Sequence, residues 1–223
     1  MRTFEAIIFD LFDTLIDFDV NAYRSAQHAY MDGMGLDGTQ FIDKWNKSSQ
    51  KALNGEFVSV KEWYSTLLKQ MSDTGSIDVE SMLTNEREAL DKACKTIPGI
   101  HEFLSELQVS GYLLAVISNS SCIGTELLSL KGIGKFFHET LFSYVEKVGK
   151  PNPEIYELAC DRLGIETEKA AYVSDGDKNE LEGARRAGLY PIRFDPTCQF
   201  YDAKIPPGIP EFKTIDALKE FLI

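Results

Sequence analysis

Three side chains able to do chemistry stand where short apolar runs of the sequence end: Asp10, Ser118 and Asp175. A carboxylate at the end of a buried strand can be held by backbone donors and a cation while it attacks an electrophile. A serine hydroxyl with backbone N–H groups, placed where a strand gives way to a helix, suits anionic oxygens. These residue types therefore indicate nucleophilic chemistry near an anion. The apolar runs in front of them cover residues 6–9, 113–117 and 170–173.

The same runs predict the elements that would position these groups. Each run is continuously apolar, as a strand buried on both faces requires. Between them lie segments of helical periodicity that close at Gly111, Gly164 and Gly188, where a left-handed residue would end a helix. This alternation predicts an α/β fold with a Rossmann-like, doubly wound parallel sheet, in which ligands bind beyond the carboxyl ends of the strands. Weaker strand candidates cover residues 141–145 and 191–194.

Residues 17–96 follow a different pattern, because they contain no buried-strand run. Amphipathic stretches separated by glycines and polar turns predict helices there. We expect a small all-helical cap domain at 17–96, inserted into a core domain made of 1–16 and 97–223. Such a cap would close over the site, exclude water and choose the substrate. The predicted helices lie near residues 19–32, 39–53, 60–72 and 78–94.

The bulk composition narrows the range of partners. The chain has 223 residues, of which 35 are acidic and 23 are Lys or Arg, so its formal net charge is −12. Without a basic block, nucleic acid and membrane surfaces are poor partners, and a small anionic substrate would need positive charge from a metal or a few lysines. The four cysteines show no metal-ligand spacing, which fits a reducing cytosol. We expect a cytoplasmic monomer or homodimer.

Residues 9–15, Phe-Asp-Leu-Phe-Asp-Thr-Leu, resemble the first motif of the haloacid dehalogenase-like (HAD) hydrolase superfamily. Four motifs of that family occur in the right order, and the resemblance covers roughly residues 4–16 and 97–195. It implies a hydrolase in which Asp10 forms a covalent aspartyl intermediate that water later cleaves. It also implies that Thr14 orients the loop by hydrogen bonding, although a turn-stabilising hydroxyl is nearly as good an interpretation.

The second and third motifs supply groups for an anion. The resemblance assigns Ser118 and Asn119 to phosphate binding, although helix N-capping alone would favour the same residue types. The third motif is Lys150 with two prolines after it, of which Pro153 suits the first turn of a helix. The equivalent lysine of the family bridges the nucleophile and the transferring group. Lys150 is therefore expected to bind phosphate and to assist catalysis, with a solvated surface lysine as the ordinary alternative.

The fourth motif, residues 174–180, would bring more carboxylates beside Asp10 if the strand ends are neighbours. Carboxylates that converge with few basic partners repel one another, and a hard divalent cation with oxygen ligands removes that cost. Mg²⁺ is therefore implied as a cofactor. By analogy with the family, its ligands would be Asp10, the backbone carbonyl of Phe12 and Asp175, with Glu180 acting through water. For Asp177 we favour an acidic helix N-terminus.

One position departs from the family pattern. The family's phosphatases carry a second Asp two residues after the nucleophile, which protonates the leaving group, and here that position is Phe12. Asp13 follows, but a shift of one residue changes the direction of a side chain, so we do not assign it the role. Loss of a general acid costs about 10²–10⁴ in rate. We expect a substrate with a good leaving group, one that supplies its own proton, or slow turnover.

Three functions remain open, of which a Mg²⁺-dependent phosphatase for a small phosphorylated metabolite is favoured. A 2-haloacid dehalogenase is the main alternative, since that branch of the family also carries a bulky aromatic residue at the position of Phe12. It uses a cap arginine, however, and no Arg lies between Arg24 and Arg87. It also abandons the metal ligands, whereas Asp175 and Glu180 remain. The third alternative is a catalytically weak member that binds a phosphorylated ligand or partner.

Four side chains in the expected cap are candidates for the substrate pocket, namely Tyr23, Lys44, Trp45 and Trp63. Aromatic residues at helical spacing more often form the core of a helical unit. They are therefore not assigned to the site, and the substrate cannot be read from them.

Overall fold

A computed structural model describes residues 4–71, 78–198 and 205–223. Its main feature is a parallel sheet of six strands in the order β5-β4-β1-β6-β7-β8. The eight strands of the described chain are β1 (Ala6–Phe9), β2 (Ile16–Phe18), β3 (Cys94–Thr96), β4 (Leu113–Ser118), β5 (Glu139–Phe142), β6 (Ala170–Ser174), β7 (Tyr190–Phe194) and β8 (Glu211–Phe212).

The first strand lies at the centre of the sheet, and all four of its residues are buried. Phe9 pairs with Val116 of β4 and with Val173 of β6, so these three strands end at nearly the same level. A continuously apolar strand is stable there because helices cover both faces of a parallel sheet. The register therefore brings the residues that follow β1, β4 and β6 to one edge.

Among the described residues, four helices lie between β2 and β3, which pair antiparallel as a two-stranded stem. We call this four-helix unit the insertion. The predicted cap boundaries, residues 17 and 96, fall within the two stem strands. The end of the predicted helix 60–72 lies outside the described residues. The helices are α1 (Val20–Gly33), α2 (Gly38–Leu53), α3 (Val60–Leu68) and α4 (Val79–Ala93).

The helices of the core begin after the stem. The three glycines expected to end helices have positive φ: 89° at Gly111, 71° at Gly164 and 94° at Gly188. One strand prediction was wrong, since the strand near residues 141–145 ends at Phe142 and the next four residues form a short helix. The core helices are α5 (Ile100–Val109), α6 (Cys122–Leu130), α7 (Ser143–Glu146), α8 (Pro153–Leu163), α9 (Glu180–Arg186) and α10 (Ile215–Leu222).

Helices surround the six parallel strands, so the predicted Rossmann-like α/β fold is confirmed. Among the described helices, none combines the length and the apolar character needed to cross a lipid bilayer.

Candidate active site

A cavity of about 130 Å³ lies at the carboxyl edge of the sheet. We call it the nucleophile cavity. It receives Asp10 from the end of β1, Ser118 from the end of β4 and Asp175 from the residue after β6. Among the described residues, the insertion contributes nothing to its lining. The lining residues are Asp10, Phe12, Asp13, Ser118, Asn119, Lys150, Asp175, Asp177, Lys178 and Glu180.

Three buried carboxyl groups converge in this cavity. One oxygen from each of Asp10, Asp175 and Glu180 lies within 4.8 Å of the others. Burial raises the pKa of Asp10 to about 7 against the opposing effect of Lys150, and the charge of Glu180 contributes in the same direction as burial. Burial, followed by the charges of Glu180 and Asp10, raises the pKa of Asp175 to about 9. Such a set of buried oxygen donors fits a hard divalent cation, which would favour the ionised carboxylates.

The buried ammonium of Lys150 is bonded to two of these carboxyl groups. Its Nζ contacts Asp10, lies 2.5 Å from Oε2 of Glu180 and donates to the hydroxyl of Tyr172 at 3.0 Å. Burial alone would lower the pKa of Lys150, but Asp10 and Glu180 outweigh it and raise the pKa, so the group stays charged. Lys150 thus contacts two of the three buried carboxyl groups, which leaves an excess of hydrogen-bond acceptors.

The amide side chain of Asn119 has a different partner from the expected one. Its Oδ1 accepts the backbone N–H of Lys150 at 2.8 Å, and its Nδ2 donates to the carbonyl of Lys150 at 2.7 Å. A Cβ atom at Gly149 would lie 2.6 Å from Oδ1 of Asn119, so only glycine permits this approach. The side chain of Asn119 therefore orients Lys150, and its role in phosphate binding stays a prediction.

The hydroxyl of Ser118 is buried and has no hydrogen-bond partner among the described residues. An unpartnered buried hydroxyl costs free energy unless a ligand or water satisfies it. Because Ser118 lines the cavity beside Lys150, a bound anionic oxygen would supply the acceptor that the protein lacks.

Two side chains hold the backbone of Asp175 from both sides. Its N–H donates to Oγ1 of Thr14 at 3.1 Å, so the hydroxyl of Thr14 does hydrogen-bond within the site. Its carbonyl accepts from Nε of Arg193 at 3.1 Å. The guanidinium of Arg193 is buried and also bonds Asp195 at 3.1 Å and Glu211 at 3.0 Å. These bonds hold the backbone of Asp175, while its carboxyl group accepts the N–H of Asp177 at 3.2 Å.

Sequence reasoning missed Arg193 and Tyr172, although each carried a signal. Arg193 is a charged residue within the apolar strand 190–194, and a buried guanidinium requires acceptors. Tyr172 lies within the apolar run of β6, where its hydroxyl must find a partner and donates to Oε2 of Glu180 at 3.0 Å. A charged or hydroxyl-bearing residue within an apolar strand indicates that a polar contact exists. It does not indicate the partner residue.

Phe12, two residues after Asp10, has an aromatic side chain. Phe12 lines the cavity, and its ring centroid lies 5.5 Å from that of Phe18. Asp13 has a positive φ of 58° and also lines the cavity. Burial raises the pKa of Asp13 to about 6, against a hydrogen bond from the backbone of Phe18 and in the presence of acidic neighbours.

The aromatic candidates of the insertion lie in the hydrophobic core. Tyr23, Trp45 and Trp63 are buried, and the Trp45 and Trp63 rings stack with centroids 3.8 Å apart. Neither these residues nor Lys44 line the nucleophile cavity. Their packing matches the preference for a core role.

Comparison with known proteins agrees with this fold. The haloacid dehalogenase-like hydrolase family matches residues 4–188. A glyceraldehyde 3-phosphate phosphatase of Methanopyrus kandleri is 26% identical, over 98% of this chain and 95% of the relative. An (S)-2-haloacid dehalogenase 4A of Burkholderia cepacia is also 26% identical, over 85% of this chain and 82% of the relative.

Solved structures show the same architecture. A HAD phosphatase from Thermococcus onnurineus superposes with a TM-score of 0.66 at 17% identity, covering 98% of this chain and 97% of the other. At that identity the likeness concerns the fold alone. Together with the family match, it establishes the class: the chain belongs to the haloacid dehalogenase-like hydrolases.

Proposed function

We propose that the protein is a Mg²⁺-dependent phosphatase that acts on a small phosphorylated metabolite through an aspartyl-phosphate on Asp10. The observation that carries this proposal is the meeting of Asp10, Asp175 and Glu180 within 4.8 Å around a single lysine. These three residues offer carboxyl oxygens as ligands for a metal ion. The attack of a carboxylate on carbon does not need a metal ion. The glyceraldehyde 3-phosphate phosphatase similar over nearly the whole chain supports the same choice.

In the proposed mechanism, Asp10, the backbone carbonyl of Phe12 and Asp175 would hold the metal, with Glu180 acting through water. Bound Mg²⁺ would supply positive charge for the phosphate and for the ionised carboxylates. Lys150, held beside Asp10 by Asn119, neutralises the transferring group, and the hydroxyl of Ser118 donates to one of its oxygens. Asp10 attacks phosphorus in line, and water then cleaves the aspartyl-phosphate.

The leaving group must obtain its proton without a carboxyl group at the position of Phe12. Asp13 lines the cavity, but it is one residue away from that position and lies among acidic neighbours. We therefore expect faster turnover of acyl phosphates and aryl phosphates than of alkyl phosphates, since the former leave with little or no protonation.

The second candidate is a 2-haloacid dehalogenase, and a specific observation favours it. Phe12, a bulky aromatic residue, is among the residues that line the cavity, and a haloacid dehalogenase is among the relatives. The clustered Asp175 and Glu180 weigh against it, because halide displacement by Asp10 leaves no phosphoryl charge to neutralise. A third candidate, binding of a phosphorylated ligand without turnover, would follow if Phe12 removed a step that the enzyme needs.

One panel of assays separates the three candidates. Acetyl phosphate, p-nitrophenyl phosphate, alkyl phosphates and 2-chloropropionate would be incubated with and without Mg²⁺. Asp10→Asn serves as the inactive variant, and Asp161→Asn, which changes an exposed residue, serves as the matched control. Mg²⁺-dependent phosphate release that only Asp10→Asn abolishes supports the phosphatase. Metal-independent chloride release, or one stoichiometric burst without turnover, would contradict it.

A further inference from the structure

A second cleft, of about 320 Å³, adjoins the nucleophile cavity, and we call it the insertion cleft. The two spaces share Asn119 and Lys150 in their linings. The insertion cleft is walled on one side by the end of α2, including Gln50 and Asn54, and on the other by the core segment 143–149. Ligand pockets measure about 300–1,000 Å³, so the nucleophile cavity is too small for more than the reacting group. The rest of a substrate must therefore extend into a neighbouring space.

The insertion cleft has the opposite charge character from the nucleophile cavity. Within the described part of the chain, no carboxylate lines it, whereas Lys147 and Lys150 both do. Two glutamates on its flanks are already paired. Arg162 bonds both carboxyl oxygens of Glu146 at 2.9 and 2.6 Å, and Lys51 lies 3.4 Å from Glu56. In a chain of net charge −12, an acid-free cleft beside the nucleophile favours an anion.

Lys147 keeps its charge available to such an anion. Its Nζ donates to the backbone carbonyls of Asn54 at 3.1 Å and Gly55 at 2.9 Å, which are neutral acceptors. An ammonium group has three donors, and the third has no protein acceptor among the described residues. Lys150, by contrast, is committed to Asp10 and Glu180.

A close approach between the insertion and the core fixes the position of Lys147. Gly55 has a φ of 75°, and a Cβ atom there would lie 1.9 Å from Nζ of Lys147 and 2.0 Å from the carbonyl oxygen of Tyr144. Only glycine lets the turn after α2 come this near. The ammonium is thus held at the mouth of the insertion cleft by both parts of the protein.

We propose that Lys147 is a specificity-determining residue that binds a carboxylate on the leaving group of the phosphorylated substrate. A single ammonium with one remaining donor matches one negative charge. The inference rests on the proposed phosphatase function, since it takes the phosphoryl group of the same substrate to lie beside Asp10. The amides of Gln50 and Asn54 line the same cleft and suit hydroxyl groups on the same small molecule.

The test compares two phosphate esters with the same carbon skeleton, 3-phosphoglycerate and glycerol 3-phosphate, which differ in a carboxylate against a hydroxymethyl group. The ratio of their kcat/KM values would be measured for the wild type, Lys147→Gln, Lys147→Arg and Lys169→Gln. Lys169 pairs with Glu5 at the opposite end of the sheet and is the matched control. Both esters need the same closure of the cleft, so a general defect cancels in the ratio.

We expect the wild type to prefer 3-phosphoglycerate. Lys147→Gln should lower the preference about two- to fivefold, mainly through KM, because a partly exposed ion pair contributes modestly. Lys147→Arg and Lys169→Gln should keep the preference. An unchanged ratio in Lys147→Gln, or a wild type that prefers glycerol 3-phosphate, overturns this inference alone. Absence of Mg²⁺-dependent phosphate release from both esters and from p-nitrophenyl phosphate overturns the proposed function as well.

Discussion

Two buried polar clusters of this protein, one with a single carboxyl group and one with three, differ in which groups face the carboxyl oxygens. In the insertion, Glu86 accepts hydrogen bonds from the hydroxyls of Tyr23 and Tyr64 and from the amide of Gln27 at 3.3 Å. In the core, Asp10, Asp175 and Glu180 share one lysine. Burial raises the pKa of Glu86, while its three hydrogen-bond donors act to lower it.

The contrast separates a structural role from a functional one. Both oxygens of Glu86 have donors within the insertion, so this carboxyl group is satisfied and ties together helices α1, α3 and α4, while Oε1 of Gln27 has no partner among the described residues. The core cluster has more carboxyl oxygens than hydrogen-bond donors. A bound cation would therefore stabilise its ionised carboxylates. Buried carboxyl groups alone do not identify an active site; an unmet demand for positive charge does.

Removing the one cation of the core cluster should have the largest effect. We expect Lys150→Met to lower the free energy of unfolding of metal-free protein at neutral pH by about 3–5 kcal/mol, because a buried partner is left uncompensated. Chemical denaturation would measure the loss, and Mg²⁺ should restore part of it. Lys178→Met, at an exposed lysine of the same cavity, should cost less than about 1 kcal/mol. Equal losses of unfolding free energy in the two variants would contradict the claim that the core carboxyl groups depend on the charge of Lys150.

The Glu86 cluster should respond to mutation but not to metal. We expect Glu86→Leu to cost about 2–3 kcal/mol of unfolding free energy, since it leaves two buried tyrosine hydroxyls without their acceptor. The loss should be the same with and without Mg²⁺. Glu88→Leu, on the exposed side of the same helix, should change stability by less than about 0.5 kcal/mol. A loss that Mg²⁺ repairs would show that the two clusters are not independent.

Arg193, which donates to the backbone carbonyl of Asp175, should affect metal affinity although it is not a metal ligand. We expect Arg193→Met to weaken Mg²⁺ binding about 10- to 100-fold, because outer partners that orient a ligand typically have effects of this size. Calorimetric titration would measure it. Arg185→Met, at a half-exposed arginine paired with Glu182, should leave the affinity unchanged. An unaltered affinity in Arg193→Met would mean that Thr14 alone is sufficient to hold Asp175.

The free energy of unfolding should depend on pH, with a smaller effect whose direction is predicted. The folded-state pKa values of Asp10 and Asp175, about 7 and about 9, exceed the ordinary aspartate pKa of 3.8, so the folded metal-free protein binds more protons than the unfolded chain between about pH 4 and 9. These two groups therefore make the free energy of unfolding fall as pH rises, by at most about 1.4 kcal/mol per pH unit for each group still titrating.

Urea denaturation at several pH values, with and without Mg²⁺, would measure this slope. Saturating Mg²⁺ should flatten it, because the ion favours the ionised carboxylates. Asp175→Asn should flatten it without metal. A steeper fall in the presence of Mg²⁺ would contradict the assignment of these two carboxyl groups to one ion.

The sequence predicted the parts of the fold and site that depend on local pattern. Continuous apolar runs predicted three central strands, and the register of a parallel sheet then brings Asp10, Ser118 and Asp175 together. The strand at residues 139–142 was misplaced because its apolar pattern continues into a short helix that only tertiary packing distinguishes.

Contacts between distant side chains could not be predicted in this way. The bonds from Asn119 to Lys150, from Arg193 to Asp175 and from Tyr172 to Glu180 depend on which loops face one another. Neither periodicity nor spacing carries that information. The same limit hid the charge contrast between the nucleophile cavity and the insertion cleft.

The most direct test of the account is calorimetric titration of Mg²⁺ into metal-free protein near pH 7, repeated in buffers of different ionisation enthalpy. Because burial holds the pKa of Asp10 and Asp175 high, we expect one ion to bind with release of protons. Asp175→Asn should lose that binding, and Glu86→Gln should keep it. Absence of Mg²⁺ binding to the wild type, or binding that survives in Asp175→Asn, would contradict the claim that the core carboxyl groups form a metal site.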